Sequence, residues 1–137
     1  GGETVLPLAG LHLLLAEDNE LNSEIATALL EEQGASITAV ENGRLALEAI
    51  QNAAPRTYDA ILMDVMMPEM NGLEATRCIR AFEGKGPGEG TPIIAMTANV
   101  FADDVKACLD AGMNSHVGKP LDMKVLIGEI LKYTDAR

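Results

Sequence analysis

The chain has 137 residues, a formal charge of −11 and 47% apolar residues. That composition suits one domain around one core and argues against disorder. It also argues against non-specific nucleic-acid binding, which needs a basic face, and no apolar run approaches the ~20 residues of a membrane span.

Five apolar segments alternate with five helical patterns. Gly1-Gly2 in place of an initiator Met reads as a remnant or linker over residues 1–10, and the domain as cut from a longer protein; a native start that lost its Met is the alternative. Leu11–Ala16 reads as the first strand; it is too short and lacks the basic flank for a signal peptide. Periodicity predicts a helix over about Glu20–Gln33, with Leu21, Ile25, Ala28 and Leu29 on its apolar face and Gly34 as its stop. Ser36–Val40 is the second strand. The second helix, Gly43–Asn52, presents Leu45, Ala46, Ala49 and Ile50. Asp59–Met63 is the third strand, and a loop through Pro68 leads to a third helix over Leu73–Phe82. The glycine-rich stretch Glu83–Gly90 reads as a flexible surface loop. Pro92–Met96 is the fourth strand, followed by a helix over Phe101–Ala111 that carries Asp103 and Asp104 in its first turn and ends at Gly112. Ser115–Gly118 is the fifth strand. Asp122 is placed to cap the last helix, whose stripe is Leu126, Ile127, Ile130 and Leu131. Residues 11–134 form the domain and 135–137 a tail. His12 reads as a strand residue without function. Cys78 and Cys108 fall in helices without metal-type spacing and read as reduced thiols, with a redox pair as the alternative.

Near-continuous apolar strands fit a parallel sheet covered by helices on both faces. Right-handed crossovers make this an α/β, doubly wound (βα)5 three-layer sandwich, a parallel five-stranded sheet with the expected order 2-1-3-4-5. In such a sheet ligands bind where the C-terminal strand ends share one edge. Glu17 and Asp18, Asp64, Thr97, and Lys119 followed by Pro120 each sit just past an apolar run. Three carboxylates this close repel one another and favour a cation; oxygen-only ligands favour a hard ion such as Mg2+. Asp64, ending the central strand, is the candidate nucleophile, whose plain alternative is a strand-end aspartate facing water. Lys119 can pair with Asp64 and then with a phosphoryl oxygen, or it is an exposed lysine. Pro120 makes a special turn, with a cis bond, plausible there. Thr97 offers a hydroxyl, and small Ala98 beside it leaves room for a phosphoryl group.

The segments Leu14-Leu15-Ala16-Glu17-Asp18-Asn19, Met63-Asp64-Val65-Met66-Met67-Pro68, Asn71-Gly72-Leu73-Glu74-Ala75-Thr76, Met96-Thr97-Ala98-Asn99 and His116-Val117-Gly118-Lys119-Pro120 together resemble the receiver domain of two-component response regulators. The dialect is similar to the receivers of hybrid sensor histidine kinases. The resemblance implies a flavodoxin-like fold and a phosphorelay function: Asp64 takes a phosphoryl group from a phosphohistidine and switches a partner-binding face. It implies Mg2+ (or Mn2+) held by Glu17 or a water on it, Asp18, Asp64 and the backbone carbonyl of Met66. Thr97, Ala98 and Lys119 hold the phosphoryl oxygens. Thr97 and the residue three before the lysine form the switch. That residue is usually Tyr or Phe and here is His116, for which a plain strand histidine is the alternative. Met66 and Asn99 flank the path of hydrolytic water. The implied partner is a histidine kinase or histidine phosphotransfer domain, with other domains of the same parent chain in reach; neither nucleic acid nor membrane is a partner of this domain. The expected location is cytoplasmic, a membrane-anchored parent included. The resemblance implies a domain that is not a conventional enzyme but catalyses its own phosphorylation and dephosphorylation, with membership of a hybrid histidine kinase as one setting.

Three rival readings fit parts of the pattern. A haloacid dehalogenase-type phosphatase also uses a strand-end Asp and Mg2+, but its second Asp would fall at Met66 and it needs room for a cap. A flavodoxin-like electron carrier needs a hydroxyl-rich phosphate loop where Glu17-Asp18 stand. A pseudo-receiver docking module would lack the active groups. Fold alone separates none of these.

Overall fold

The computed structural model describes residues 5–98 and 101–134. Five parallel strands, β1 (His12–Ala16), β2 (Ser36–Val40), β3 (Ala60–Asp64), β4 (Ile93–Thr97) and β5 (Ser115–Gly118), form one sheet in the order β2-β1-β3-β4-β5. The helices are α1 (Glu20–Glu32), α2 (Gly43–Asn52), α3 (Gly72–Glu83), α4 (Ala102–Ala111) and α5 (Met123–Thr134). The fold class and strand order are those expected from the sequence. β3 and β4 run one residue further than expected, so Asp64 and Thr97 close their strands rather than follow them.

Side-chain alternation along the strands splits the core in two. Leu13, Leu15, Leu62, Ile94, Met96 and Val117 face α1 and α5, meeting Ala26, Leu30, Leu126 and Ile130. Leu14, Ala16, Ile61, Met63, Ile93 and Ala95 face the other way, meeting Ala46, Ala75, Ile79 and Cys108. Both Cys78 and Cys108 are free thiols, the latter buried.

Polar side chains start the helices. Asn19, Asn42 and Asn71 each accept an amide proton in the first turn of α1, α2 and α3, from Asn22, Leu45 and Glu74 at 2.8–2.9 Å. Asp122 accepts from the Lys124 and Val125 amides at the start of α5, as expected. Gly112, at φ 110°, ends α4 in the left-handed region that side chains avoid.

Three expectations need correction. The apolar stripe of α1 is not its core face: Ala26 and Leu30 are buried, while Leu21 is 63% exposed, Ile25 51% and Leu29 38%, and Ala28 is exposed too. The α1–sheet contact is made by a small residue and one leucine, which leaves the larger stripe turned outward. The stretch after α3 lies on the surface but is pinned. Buried Arg80 donates to the carbonyls of Thr91 (2.8 Å) and Gly112 (2.9 Å), to Asn114 Oδ1 (2.9 Å) and to Glu83 (2.9 Å). Glu83 in turn accepts from Thr91, and Asn114 Nδ2 donates to the Pro87 carbonyl at 2.7 Å. Finally, packing begins before residue 11. Leu8 is fully buried in the α1/α5 core, and its amide donates to the Gln33 carbonyl at 2.8 Å. The Gly1-Gly2 reading lies outside the described residues.

Candidate functional site

The sheet register delivers the expected groups to one edge. Asp64 pairs with Met96 across β3–β4, Thr97 with Gly118 across β4–β5, and Ala16 with Met63 across β1–β3. Chain reversals therefore begin side by side at Glu17, Val65, Ala98 and Lys119. Gly72 lets the segment after β3 fold back. Its amide donates to the Val65 carbonyl at 3.0 Å, and a Cβ there would collide with the Asp64 carbonyl oxygen.

Asp64 is 4% exposed, Glu17 6% and Thr97 7%, whereas Asp18 stands open to solvent. Ligand oxygens of Glu17, Asp18 and Asp64 all lie within 4.8 Å of one another. Lys119 bridges two of them: its Nζ donates to Asp64 Oδ2 at 3.0 Å and to Glu17 Oε2 at 3.1 Å. The other oxygens are also engaged. Glu17 Oε1 accepts from the Asn19 amide at 3.1 Å and Asp64 Oδ1 from the Met66 amide at 3.3 Å. Burial pushes the Glu17 carboxyl above its usual range, and the Asp64 charge adds to this; the Asn19 amide and Lys119 oppose it without cancelling it. For Lys119 burial acts downward, but the hydrogen bonds and charges of Asp64 and Glu17 outweigh it and the ammonium is held above its usual range.

One ammonium cannot balance three carboxylates, so the cluster fits a hard divalent cation by its all-oxygen donor set. The Lys119-Pro120 bond is cis. Pro120 and Ala98 are exposed, and the Lys119 amide donates to the Thr97 carbonyl at 2.9 Å. His116 is half-buried in β5, paired with Ala95 on the face opposite Val117. The Met66 side chain is 76% exposed. Asn99 lies outside the described residues.

Two features escaped the sequence reading. The Asn19 amide on Glu17 follows from the α1 cap and was readable from Asn19 preceding a helical pattern. Glu69, three residues past Met66, adopts φ 64° and accepts from Arg44 Nε at 3.1 Å; no local signal marks a glutamate for that conformation.

A family model described as the response regulator receiver domain matches residues 13–131. Probable histidine kinase 1 of Oryza sativa subsp. indica is 41% identical over 82% of this chain and 14% of its own length. The sensor protein GacS of Pseudomonas syringae pv. syringae is 38% identical over 89% of this chain and 13% of its own. The chain thus spans about one-seventh of these relatives. Among solved structures, the receiver domain of the Pseudomonas aeruginosa sensor histidine kinase PA1611, with magnesium in its active site cleft, superposes with TM-score 0.80 at 38% identity, over 93% of this chain and 99% of that one. A chain from the Saccharomyces cerevisiae co-crystal structure of the histidine phosphotransfer protein Ypd1 with the receiver domain of Ssk1 gives 0.81 at 26% identity, over 91% and 89%.

Proposed function

Since the chain belongs to the response regulator receiver domain family, we propose that Asp64 is its phosphoacceptor and that Mg2+ (Mn2+ as substitute) is its cofactor. The observation that carries this reading is the buried Asp64 carboxylate at a strand end, 3.0 Å from Lys119 and clustered with Glu17 and Asp18.

An Asp64 oxygen attacks the phosphorus of a phosphohistidine. The aspartyl O–P bond forms as the N–P bond breaks, and the departing imidazole nitrogen keeps the electron pair and takes up a proton. Lys119 passes from Asp64 Oδ2 to a phosphoryl oxygen, joined by the Thr97 hydroxyl and the backbone at Ala98. This is positioning and charge neutralisation rather than covalent help. Glu17 or a water on it, Asp18, Asp64 and the Met66 carbonyl would hold a divalent cation, which when bound would further neutralise the phosphoryl oxygens. We assign the switch to Thr97 and His116, and hydrolysis tuning to Met66 and Asn99. Met66 brings thioether bulk and no strong hydrogen bond for water.

The donor is a histidine kinase or histidine phosphotransfer domain. The outward stripe of α1 supports this, because contiguous exposed apolar residues beside a reactive group suit helix-in-groove docking. Ile25 and Leu29 of that stripe line a groove of about 530 Å3 together with Met96, Pro120, Leu121, Glu17 and Lys119. The Ypd1–Ssk1 receiver pair is a similar assembly. By the same reading the domain, which packs from Leu8 and runs to about Thr134, works on the cytoplasmic side as one part of a hybrid kinase; no described helix is long and apolar enough to cross a membrane.

Hydroxylamine tests the chemistry, because it converts an acyl phosphate to a hydroxamate. After labelling with acetyl phosphate and Mg2+, the hydroxamate is expected on the Asp64 peptide. A hydroxylamine-stable phosphate, or a hydroxamate on another carboxylate, contradicts the assignment.

A further inference from the structure

We propose that Glu69 is a positioning residue for the metal site, holding the loop that carries the Met66 carbonyl against the first turn of α2. This rests on the metal reading above. The loop between β3 and α3 is fixed at its start by the Met66 amide on Asp64 Oδ1 and at its end by the Gly72 amide on the Val65 carbonyl. Between them the chain reverses through Glu69 at φ 64°, a conformation that a residue with a side chain keeps only when its surroundings impose it. Those surroundings come from 25–27 residues earlier. Glu69 Oε2 accepts from Arg44 Nε at 3.1 Å and from Asn42 Nδ2 at 3.5 Å. Asn42 is buried and also caps α2 through the Leu45 amide.

The backbone joins in: the Gly43 amide donates to the Met70 carbonyl at 3.0 Å, and a Cβ on Gly43 would strike that carbonyl oxygen. Met67 is buried in the core on the same side. The start of α2 and the metal loop therefore form one unit, with Glu69 as the side-chain link. Glu69 itself touches none of the three clustered carboxylates, so its effect on a cation passes through loop geometry.

The test is Mn2+ affinity of the full chain by calorimetry, with metal-free melting measured alongside. Glu69→Gly removes the carboxylate but accepts the left-handed backbone without strain, so folding is retained. Because the Arg44–Glu69 pair is partly exposed, the expected loss is about threefold in Mn2+ affinity. Metal-free melting should stay level, and amide exchange over residues 66–70 should speed up. Glu69→Gln keeps an acceptor oxygen and should stay near wild type, whereas Arg44→Ala should fall between. Asp18→Asn separates the two readings. Wild-type Mn2+ affinity in Glu69→Gly alongside lost binding in Asp18→Asn overturns the positioning role alone. Wild-type affinity in Asp18→Asn overturns the metal site and this proposal with it.

Discussion

Glu17 shows how burial and neighbouring charge act on one side chain of the cluster. Its carboxylate is 6% exposed and close to Asp64, and burial raises its affinity for a proton above the ordinary value of 4.5. A carboxyl whose folded pKa is raised adds stability below its unfolded value and loses that contribution as pH rises through the folded value. At neutral pH without metal the charged Glu17 is therefore a cost to folding. Glu17→Gln keeps an acceptor for the Asn19 amide and removes the charge. It should melt higher than wild type at pH 7 in EDTA, with the difference shrinking as pH falls toward 4.5. A difference that grows toward acid would contradict this account. The residues of this cluster were legible in the sequence because apolar runs stop abruptly at Glu17, Asp64, Thr97 and Lys119. Glu69 was not, since the partner that holds its backbone lies in another helix.

Among the elements, α1 teaches the most. Its apolar period was readable, yet the stripe of Leu21, Ile25 and Leu29 faces outward and the helix rests on Ala26 and Leu30. Periodicity reports that a face is apolar; it does not say whether the protein's own core or a partner covers it. In α5 the apolar stripe does meet the core, through Leu126 and Ile130. The loop after α3 looked free because its anchors, Arg80 and Asn114, lie outside it in sequence. The α1 stripe yields a prediction. Ile25→Asp places a charge in the proposed docking face, on a residue outside the three clustered carboxylates. Phosphotransfer from a histidine phosphotransfer protein should slow at least tenfold, consistent with loss of one central anchor of ~1.4 kcal/mol or more, while labelling by acetyl phosphate stays at the wild-type rate. Equal slowing with both donors would place the defect in the site instead.

For the whole molecule, topology does the chemical work. A parallel sheet in the order β2-β1-β3-β4-β5 brings strand ends from distant parts of the chain to one edge, and Lys119 meets Glu17 across 102 residues. The doubly wound fold was legible because helices alternating with nearly continuous apolar strands admit few other solutions. The packed edge at Leu8 was not, because Pro7 and Gly10 break the segment around it before any helix or strand period can build up. We propose that this edge makes Asp64 a metal-dependent phosphoacceptor. Intact mass of wild type and Asp64→Asn after acetyl phosphate, with Mg2+ or with EDTA, tests it most directly. Wild type with Mg2+ should gain the mass of one phosphoryl group, and neither wild type in EDTA nor the Asn variant should gain any. An equal gain in Asp64→Asn would rule out Asp64 as the phosphoacceptor, and full labelling in EDTA would rule out the metal dependence.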